Sequence, residues 1–430
     1  MTDQNAAGPG RERIKHIVVL MLENRSFDHL LGFLDHDDPA YPGLDRLDVS
    51  CPVRPGLPFG RRLRPTPDAS AVLGTDPDHS HEAVTDQMFG RPGAGEPDMA
   101  GFIKSYRHKI RYGTLRPMSW WQRAGAAVLG AVTAFWSWLT RRRGPVPATP
   151  DEIMRCFPPD GIPVLAFLAK QYGVLVDWHA SVPGETWPNR QYAHAATSHG
   201  TSNIVINFYQ DPTVFERLSE AGRTWSIYVD GVAQVWAYPK LWINGTGHFH
   251  GMDRLIADIQ AGTLPDYAFI EPNHGFGAGE GNSQHPGNNT TSGASFLGGE
   301  ALMARVHDAL AANPALFAET LLLITYDEHG GFFDHVPPRR VAAPDNLRDR
   351  GNGFDFTRCG VRVPAVAVSP LIPAGTVDAT FYEHASIPAM VLRQFAPGAG
   401  PLTRRDAQSA DPLDHLPLLP APRLDMYAAG

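Results

Sequence analysis

Thr325-Tyr326-Asp327-Glu328-His329-Gly330-Gly331-Phe332-Phe333-Asp334-His335 follows an unbroken apolar run, Thr320-Leu321-Leu322-Leu323-Ile324. A short run without polar alternation reads as a strand buried on both faces. Parallel sheets covered by helices read this way. Two adjacent carboxylates, Asp327 and Glu328, stand where this strand ends. Charge at the mouth of a buried strand is costly unless something compensates it. A metal ion compensates neighbouring carboxylates directly. Open α/β sheets place their chemistry just outside strand C-termini. A structural ion pair in a turn explains the carboxylates alone. It leaves the local density of Asp, Glu, His and Gly unexplained, so the stretch reads as a site.

The N-terminal region repeats the pattern. His16-Ile17-Val18-Val19-Leu20-Met21-Leu22 is a second buried strand, and Glu23 and Asn24 stand at its end. A lone Glu23 would be a surface carboxylate. Asn24 beside it, and the matching strand end at Asp327, favour a shared site. Ser26 is placed to cap a short helix reaching Leu34.

Further strands are expected near 175–181, 224–229, 267–271 and 363–369, with helices near 164–172, 252–260, 299–312 and 386–395. This alternation predicts an α/β domain with a mostly parallel sheet covered on both faces. The chain has 430 residues, 43% hydrophobic and 19% charged, enough for an enzyme-sized core. Gly at 42 and Pro at 39 point to long ordered loops over that core. Net charge is -8, with no basic excess to hold nucleic-acid phosphates, so a nucleic-acid partner is excluded. Cys51, Cys156 and Cys359 are scattered, which rules out a disulfide framework and disfavours a zinc–thiolate site.

The expected organisation is a polar N-terminal tail over 1–13, one domain over 14–400, and a C-terminal tail over 401–430. An insertion over about 117–146 interrupts the domain. Within it, 119–143 has no charge between Arg123 and Arg141, carries Trp120, Trp121, Trp136 and Trp138, and ends in Arg141-Arg142-Arg143. It is barely long enough to span a bilayer, which needs ~20 apolar residues. Tryptophans and a terminal arginine cluster suit interfacial contact instead. The competing reading is a buried helix of the domain. No apolar run follows a basic start, so no secretory signal is visible. The expected location is the cytoplasm or a membrane periphery, with export left open. Nothing in the sequence marks an oligomeric state.

Five blocks together carry a resemblance: Glu23 to Gly32; Pro183-Gly184-Glu185-Thr186-Trp187-Pro188-Asn189-Arg190; Glu271-Pro272-Asn273-His274 with Gln284-His285-Pro286; Thr325 to Pro338; and 360–370 with 381–386. In this order they resemble the phosphoesterase family of bacterial and plant phospholipases C and type-A acid phosphatases. The likeness runs from about Ile14 to about Phe395. It implies an alkaline-phosphatase-like three-layer sandwich and a hydrolase of phosphoric esters.

It further implies Thr186 as a nucleophile passing through a covalent phosphothreonine. A threonine hydroxyl is a poor nucleophile at its free pKa and needs activation. By local sequence alone Thr186 is as readily a turn cap. The ligand set is then Glu23, Asn24, Thr186, Asp327 and Glu328 around one divalent ion. All donate oxygen, which suits calcium, magnesium or manganese better than zinc. His79 and His285 match histidines that bind phosphate or protonate the leaving group, with His81 an alternative to His79. His274, His329, His335 and Asn189 are expected to support ligands or touch phosphate, and His384 to support a helix start. The substrate is a phospholipid diester or a small phosphomonoester. An inactive membrane-attached binding protein on this fold is the third reading. The full set of ligands and nucleophile speaks against it.

Overall fold

The computed structural model describes residues 10–91, 95–116, 147–243, 246–275 and 281–423. The insertion over 117–146, with its expected membrane contact, lies outside the described residues. Among them no helix is long and apolar enough to cross a membrane.

Eight strands form the central sheet: β1 (His16–Leu22), β2 (Gly173–Leu175), β3 (Trp225–Val229), β4 (Phe249–Gly251), β5 (Tyr267–Glu271), β6 (Thr320–Tyr326), β7 (Ala365–Val368) and β8 (Thr376–Asp378). Their order is β8-β2-β7-β6-β1-β5-β3-β4. Neighbours are parallel except at β7, which runs antiparallel to both β6 and β2. Every residue of β6 is buried. Each of Leu321, Leu322, Leu323 and Ile324 then contributes roughly 2 kcal/mol of burial. The apolar run places this strand mid-sheet because only there are both faces covered.

The expected strand over 175–181 is broken. β2 ends at Leu175, and Trp178–His179 pairs with Tyr382–Glu383 in a separate two-stranded sheet. Asp177 marks the switch, bonded through its carboxylate to His179 and Arg339.

The helices include α1 (Phe27–Leu31), α2 (His81–Met88), α3 (Phe102–Tyr112), α4 (Pro163–Gln171), α5 (Thr186–Ala195), α6 (Val214–Glu220), α7 (Met252–Ala261), α8 (Ala294–Ala311) and α9 (Ser386–Phe395). α8 packs on α4 and α7, while α9 packs on α5 and α6. These two groups flank the sheet and give the three-layer sandwich expected from the sequence. Ser26 caps α1 by accepting from the His29 N–H, but the helix stops at Leu31. A smaller core around Val84, Met88, Phe102, Phe332 and Phe333 backs the loop that leaves β6.

The described parts of the segments read as terminal tails, 10–13 and 401–423, pack onto the domain. Arg11 bonds Asp411 at 2.7 Å, and Arg405 is buried against the Tyr192 ring.

Candidate active site

β6, β1 and β5 are adjacent and parallel, so their C-terminal ends meet. That geometry brings together Asp327 and Glu328 after β6, Glu23 and Asn24 after β1, and Glu271 at the end of β5. All five are buried. The Asn24 N–H donates to Asp327 Oδ1 at 3.0 Å, and the Glu328 N–H reaches the same oxygen at 2.7 Å. Asn24 sits at φ 61, the left-handed region that asparagine tolerates better than most residues.

Gly330 explains part of the glycine density. Its φ is +66, and a Cβ there would lie 2.1 Å from the Asn24 carbonyl oxygen. Gly330→Ala is expected to cost about 1–3 kcal/mol of stability and to displace Asn24. Denaturant titration together with activity checks this. An alanine variant matching the parent in both would show that the backbone yields freely.

Thr186 is the first residue of α5, buried, with Glu185 as N-cap. Its hydroxyl lies 3.4 Å from Asn24 Oδ1. Anions are stabilised at helix N-termini, where free N–H groups and the dipole converge. Arg190 follows one turn later on the same helix. Its guanidinium donates to Glu271 Oε2 at 2.9 Å, Asp327 Oδ2 at 3.1 Å, and the carbonyls of Met21 and Leu22 at 2.9 and 3.2 Å. It ties α5 to three strand ends. Glu271 has its pKa lowered to about 2: burial raises it, but Arg190 and His274 outweigh that. Two features of the sequence mark this role, which lies outside the expected set: the spacing of Arg190 from Thr186 and the strand-end position of Glu271.

His274 bridges two carboxylates, 2.9 Å from Glu23 Oε1 and 3.1 Å from Glu271 Oε2. Burial disfavours its cation, yet Glu23 and Glu271 raise its pKa to about 9. Burial also opposes ionisation of Glu23, but His274, His285 and Arg190 hold its carboxyl well below the usual range. Gln234 donates to Glu23 Oε1 at 2.9 Å, a contact from a distant loop with no sequence signal.

Glu328 is the contrasting case. Burial, together with Asp327, pushes its carboxyl well above the usual range despite the pull of His79. Its Oε1 has no hydrogen-bond partner, and neither has Glu23 Oε2. Gln87 spends its amide N–H groups on Asp78 and Ser105, so its oxygen accepts from His329 Nε2 at 2.8 Å. The remaining lone pair, on His329 Nδ1, faces Glu328 Oε2 at 3.4 Å. Two facing acceptors and two orphaned buried oxygens fit a cation. The donor set of Glu23, Asn24, Thr186, Asp327 and Glu328 is all oxygen, which suits a hard divalent ion.

Among the described residues, the group of His, Cys, Asp and Glu that closes to within 4.8 Å is a different one: Asp28, Asp334 and His335. A cation already fills that role there. Arg362 Nη2 donates to Asp28 Oδ1 at 2.8 Å, and its Nε reaches both Asp334 oxygens at 3.2 and 3.3 Å. We therefore read it as a structural ion-pair network. It corrects the expectation for His335, which bonds Asp28 rather than the Asp327 pair.

Two more expectations gain a definite form. Asn189 touches no open surface: its amide binds Val182, Gly184 and Glu185 and fixes the turn that presents Thr186. His384 lies just before α9 but bonds the Asp327 carbonyl at 2.6 Å and accepts from Trp178 Nε1. It positions the β6 end, and its carbonyl also accepts from the Ile387 N–H at 3.0 Å in the first turn of α9.

His79 and His285 stand together, ring centroids 5.7 Å apart. His285 Nδ1 accepts from the Gly287 N–H at 2.9 Å, so its one ring proton is on Nε2. His79 Nδ1 faces the Pro77 carbonyl at 3.1 Å, an acceptor, so Nδ1 carries a proton. Its Nε2 faces the cluster, 3.4 Å from Asn24 Nδ2. His81 points away, 2.6 Å from the Pro183 carbonyl.

The phosphoesterase family model matches residues 14–396. Non-specific phospholipase C6 of Arabidopsis thaliana is 32% identical over 443 residues, 96% of this chain and 74% of that protein. Hemolytic phospholipase C of Pseudomonas aeruginosa is 25% identical over 445 residues, 89% of this chain and 53% of that protein. Solved structures overlap only loosely. A protein of the alkaline phosphatase superfamily from Vibrio parahaemolyticus gives a TM-score of 0.33 at 13% identity, over 54% of this chain and 59% of that one. The matched span reaches from the start of β1 past every strand of the central sheet, and on that ground the chain belongs to the phosphoesterase family, a hydrolase acting on phosphoric esters.

Proposed function

We propose that the chain is a metal-dependent phospholipase C that works through a phosphothreonine at Thr186. The observation that carries this is the Thr186 hydroxyl, at the N-terminus of α5, facing Asn24 beside buried carboxylates with orphaned oxygens. Glu23, Asn24, Thr186, Asp327 and Glu328 would hold a divalent ion, which would supply positive charge for the phosphate oxygens and lower the hydroxyl's pKa.

Thr186 Oγ1 attacks phosphorus, and the bond to the glycerol oxygen breaks. His79 is placed to protonate that oxygen: the Pro77 carbonyl holds its Nδ1 proton, and although burial lowers its pKa, Glu328, Asp76 and Glu185 raise it to about 9, so that Nε2, facing the cluster, carries the second proton. His285 is the neutral donor: Nδ1 is engaged by Gly287, so Nε2–H is free for a phosphate oxygen. The N–H groups at the start of α5 help hold the same charge. Water then attacks phosphorus, restores the threonine and frees the phosphorylated headgroup. The names of the relatives support the lipid substrate, and Arg190 holds the strand ends in register with Thr186.

Chelation is expected to abolish hydrolysis of phosphatidylcholine, and added calcium, magnesium or manganese to restore it. Asp327→Asn should cost several kcal/mol of transition-state stabilisation, on the order of a thousandfold in rate. Full activity in chelator, with no metal by elemental analysis, would overturn the metal reading. Release of phosphate from monoesters, with no phosphocholine from phosphatidylcholine, would make the chain a phosphatase instead.

A further inference from the structure

We propose that the rim of this site is a membrane-docking face. It is built from an apolar ridge on the segments 204–208 and 232–243 and a basic stripe on α3, and its partner is a phospholipid surface. The inference rests on the phospholipase reading above.

The ridge is exposed although its residues are large and apolar. Ile206 is 90% exposed, Ile243 66%, Phe208 65% and Trp236 54%. Scattered apolar residues need no explanation, but a contiguous group marks a contact surface. The two segments that carry these residues lie side by side. The Tyr209 N–H donates to the Ala237 carbonyl at 2.8 Å, the rings of Tyr209 and Tyr238 are 5.7 Å apart, and Lys240 Nζ reaches the Gln210 carbonyl at 2.9 Å. Trp236 and Trp242 stack at the outer edge. Tyr209 and Tyr238 are buried beneath the ridge, and exposed indole, as at Trp236, suits the boundary between headgroups and acyl chains.

The ridge borders the reacting groups. Gln234, in the middle of one segment, holds Glu23. At the start of the other, the Ile204 N–H donates to Glu185, the residue before Thr186.

Charge selects the partner. The two ridge segments hold one formal charge, Lys240, and no carboxylate. α3 buries Phe102, Ile103, Ser105 and Tyr106. Lys104, Arg107, His108 and Arg111 therefore form a stripe on its other face, at spacings of three and four. They line a groove of about 380 Å³. Asp86 neutralises Lys104 through a salt bridge, and Arg107 donates to the Val53 carbonyl at 2.9 Å, while among the described residues no carboxylate forms an ion pair with it or with Arg111. The stripe joins the ridge through the chain that leaves α3. Arg116 Nη1 donates to Glu185 at 3.1 Å, and its Nη2 donates to the Ile204 carbonyl at 3.1 Å. The Leu115 N–H reaches the carboxylate of Asp78, next to His79. One face thus carries apolar anchors, interfacial aromatics and cations around the mouth. A soluble anion would use the cations alone. A membrane with anionic headgroups uses all three.

The test uses the full chain. Partition onto vesicles is measured by co-sedimentation in a Thr186→Ala background, so that turnover does not consume the lipid. Vesicles are phosphatidylcholine alone or phosphatidylcholine mixed with phosphatidylserine. The combined Ile206→Ser, Phe208→Ser, Ile243→Ser variant is expected to lose more than about tenfold in partition on both. Arg107→Gln with Arg111→Gln should lose roughly 25-fold on mixed vesicles at low salt and little on phosphatidylcholine. With Thr186 restored, both sets should cleave monomeric dihexanoyl-phosphatidylcholine at the parental rate. That rate also shows that they fold. In a second measurement, Ile206→Cys carries a polarity-sensitive dye, labelled selectively because Cys51, Cys156 and Cys359 are buried. Its emission should shift to the blue on vesicles. Unchanged partition of the ridge variant, or no spectral shift, overturns the proposal. Failure of the phospholipase reading shows differently, as a chain that cleaves p-nitrophenyl phosphate but not monomeric dihexanoyl-phosphatidylcholine.

Discussion

Thr186→Ala is expected to lower kcat by roughly four to six orders of magnitude, the scale on which loss of a nucleophile is felt, while leaving the fold intact. Both halves follow from the geometry. The Thr186 hydroxyl makes one long contact, 3.4 Å to Asn24 Oδ1, and the α5 N-cap is Glu185 with no side-chain cap bond. Removing the hydroxyl therefore takes little from stability, and thermal unfolding should move by no more than a few degrees. The covalent route, however, has no other hydroxyl at this helix start. Thr186→Ser keeps the oxygen and should retain measurable turnover. Rapid acid quench of the parent during turnover, followed by peptide mass spectrometry, should find phosphate on the peptide containing Thr186. Near-parental turnover by the alanine variant, or phosphate on another residue, would show that water or another side chain attacks.

The parts of this site that were legible in sequence are those fixed by strand ends. β1 and β6 announce themselves as unbroken apolar runs. The residues after each must emerge at the same edge once the strands pair in parallel, so Glu23, Asn24, Asp327 and Glu328 could be placed together before any coordinates. The partners of His335 and Asn189 are not legible, because a hydrogen-bonding side chain shows its type in sequence but not its partner. Arg362, far along the chain, claims the Asp28 and Asp334 network that holds His335. Asn189 turns inward to fix its own helix start. β4 and β8 have three residues each, too short for any periodicity to register. The break after Leu175 was hidden for a related reason. The apolar pattern continues through Trp178, while the pairing partner changes from β7 to Tyr382 and Glu383. Gln87, on α2, and Gln234, in the segment after β3, reach the site from distant parts of the chain, and nothing local marks them.

Arg190→Met should be the most destabilising single change at this site, at about 3–5 kcal/mol, because it removes one partner of a buried ion pair and leaves the rest. The side chain is buried and its guanidinium serves two carboxylates and two carbonyls, each from a strand end. Arg190→Lys should recover only part of this. An ammonium cannot reproduce the planar fork that meets Glu271 and Asp327 together. The loss should also depend on pH. Glu271 has its folded pKa lowered to about 2, first against the cost of burial and then by Arg190. A lowered carboxylate adds stability above its unfolded pKa, and that stability disappears as pH falls through the folded value. The gap between parent and Arg190→Met should therefore be widest above about pH 4.5 and narrow towards pH 2. Adding Glu271→Gln to Arg190→Met should return part of the stability, since one stranded charge is then gone. Urea titrations of the four proteins across that pH range measure this coupling directly. A loss below about 1 kcal/mol for Arg190→Met, or one that grows on acidification, would mean that the guanidinium is not what neutralises the strand ends. Thr186 would then owe its position to the Asn189 turn alone.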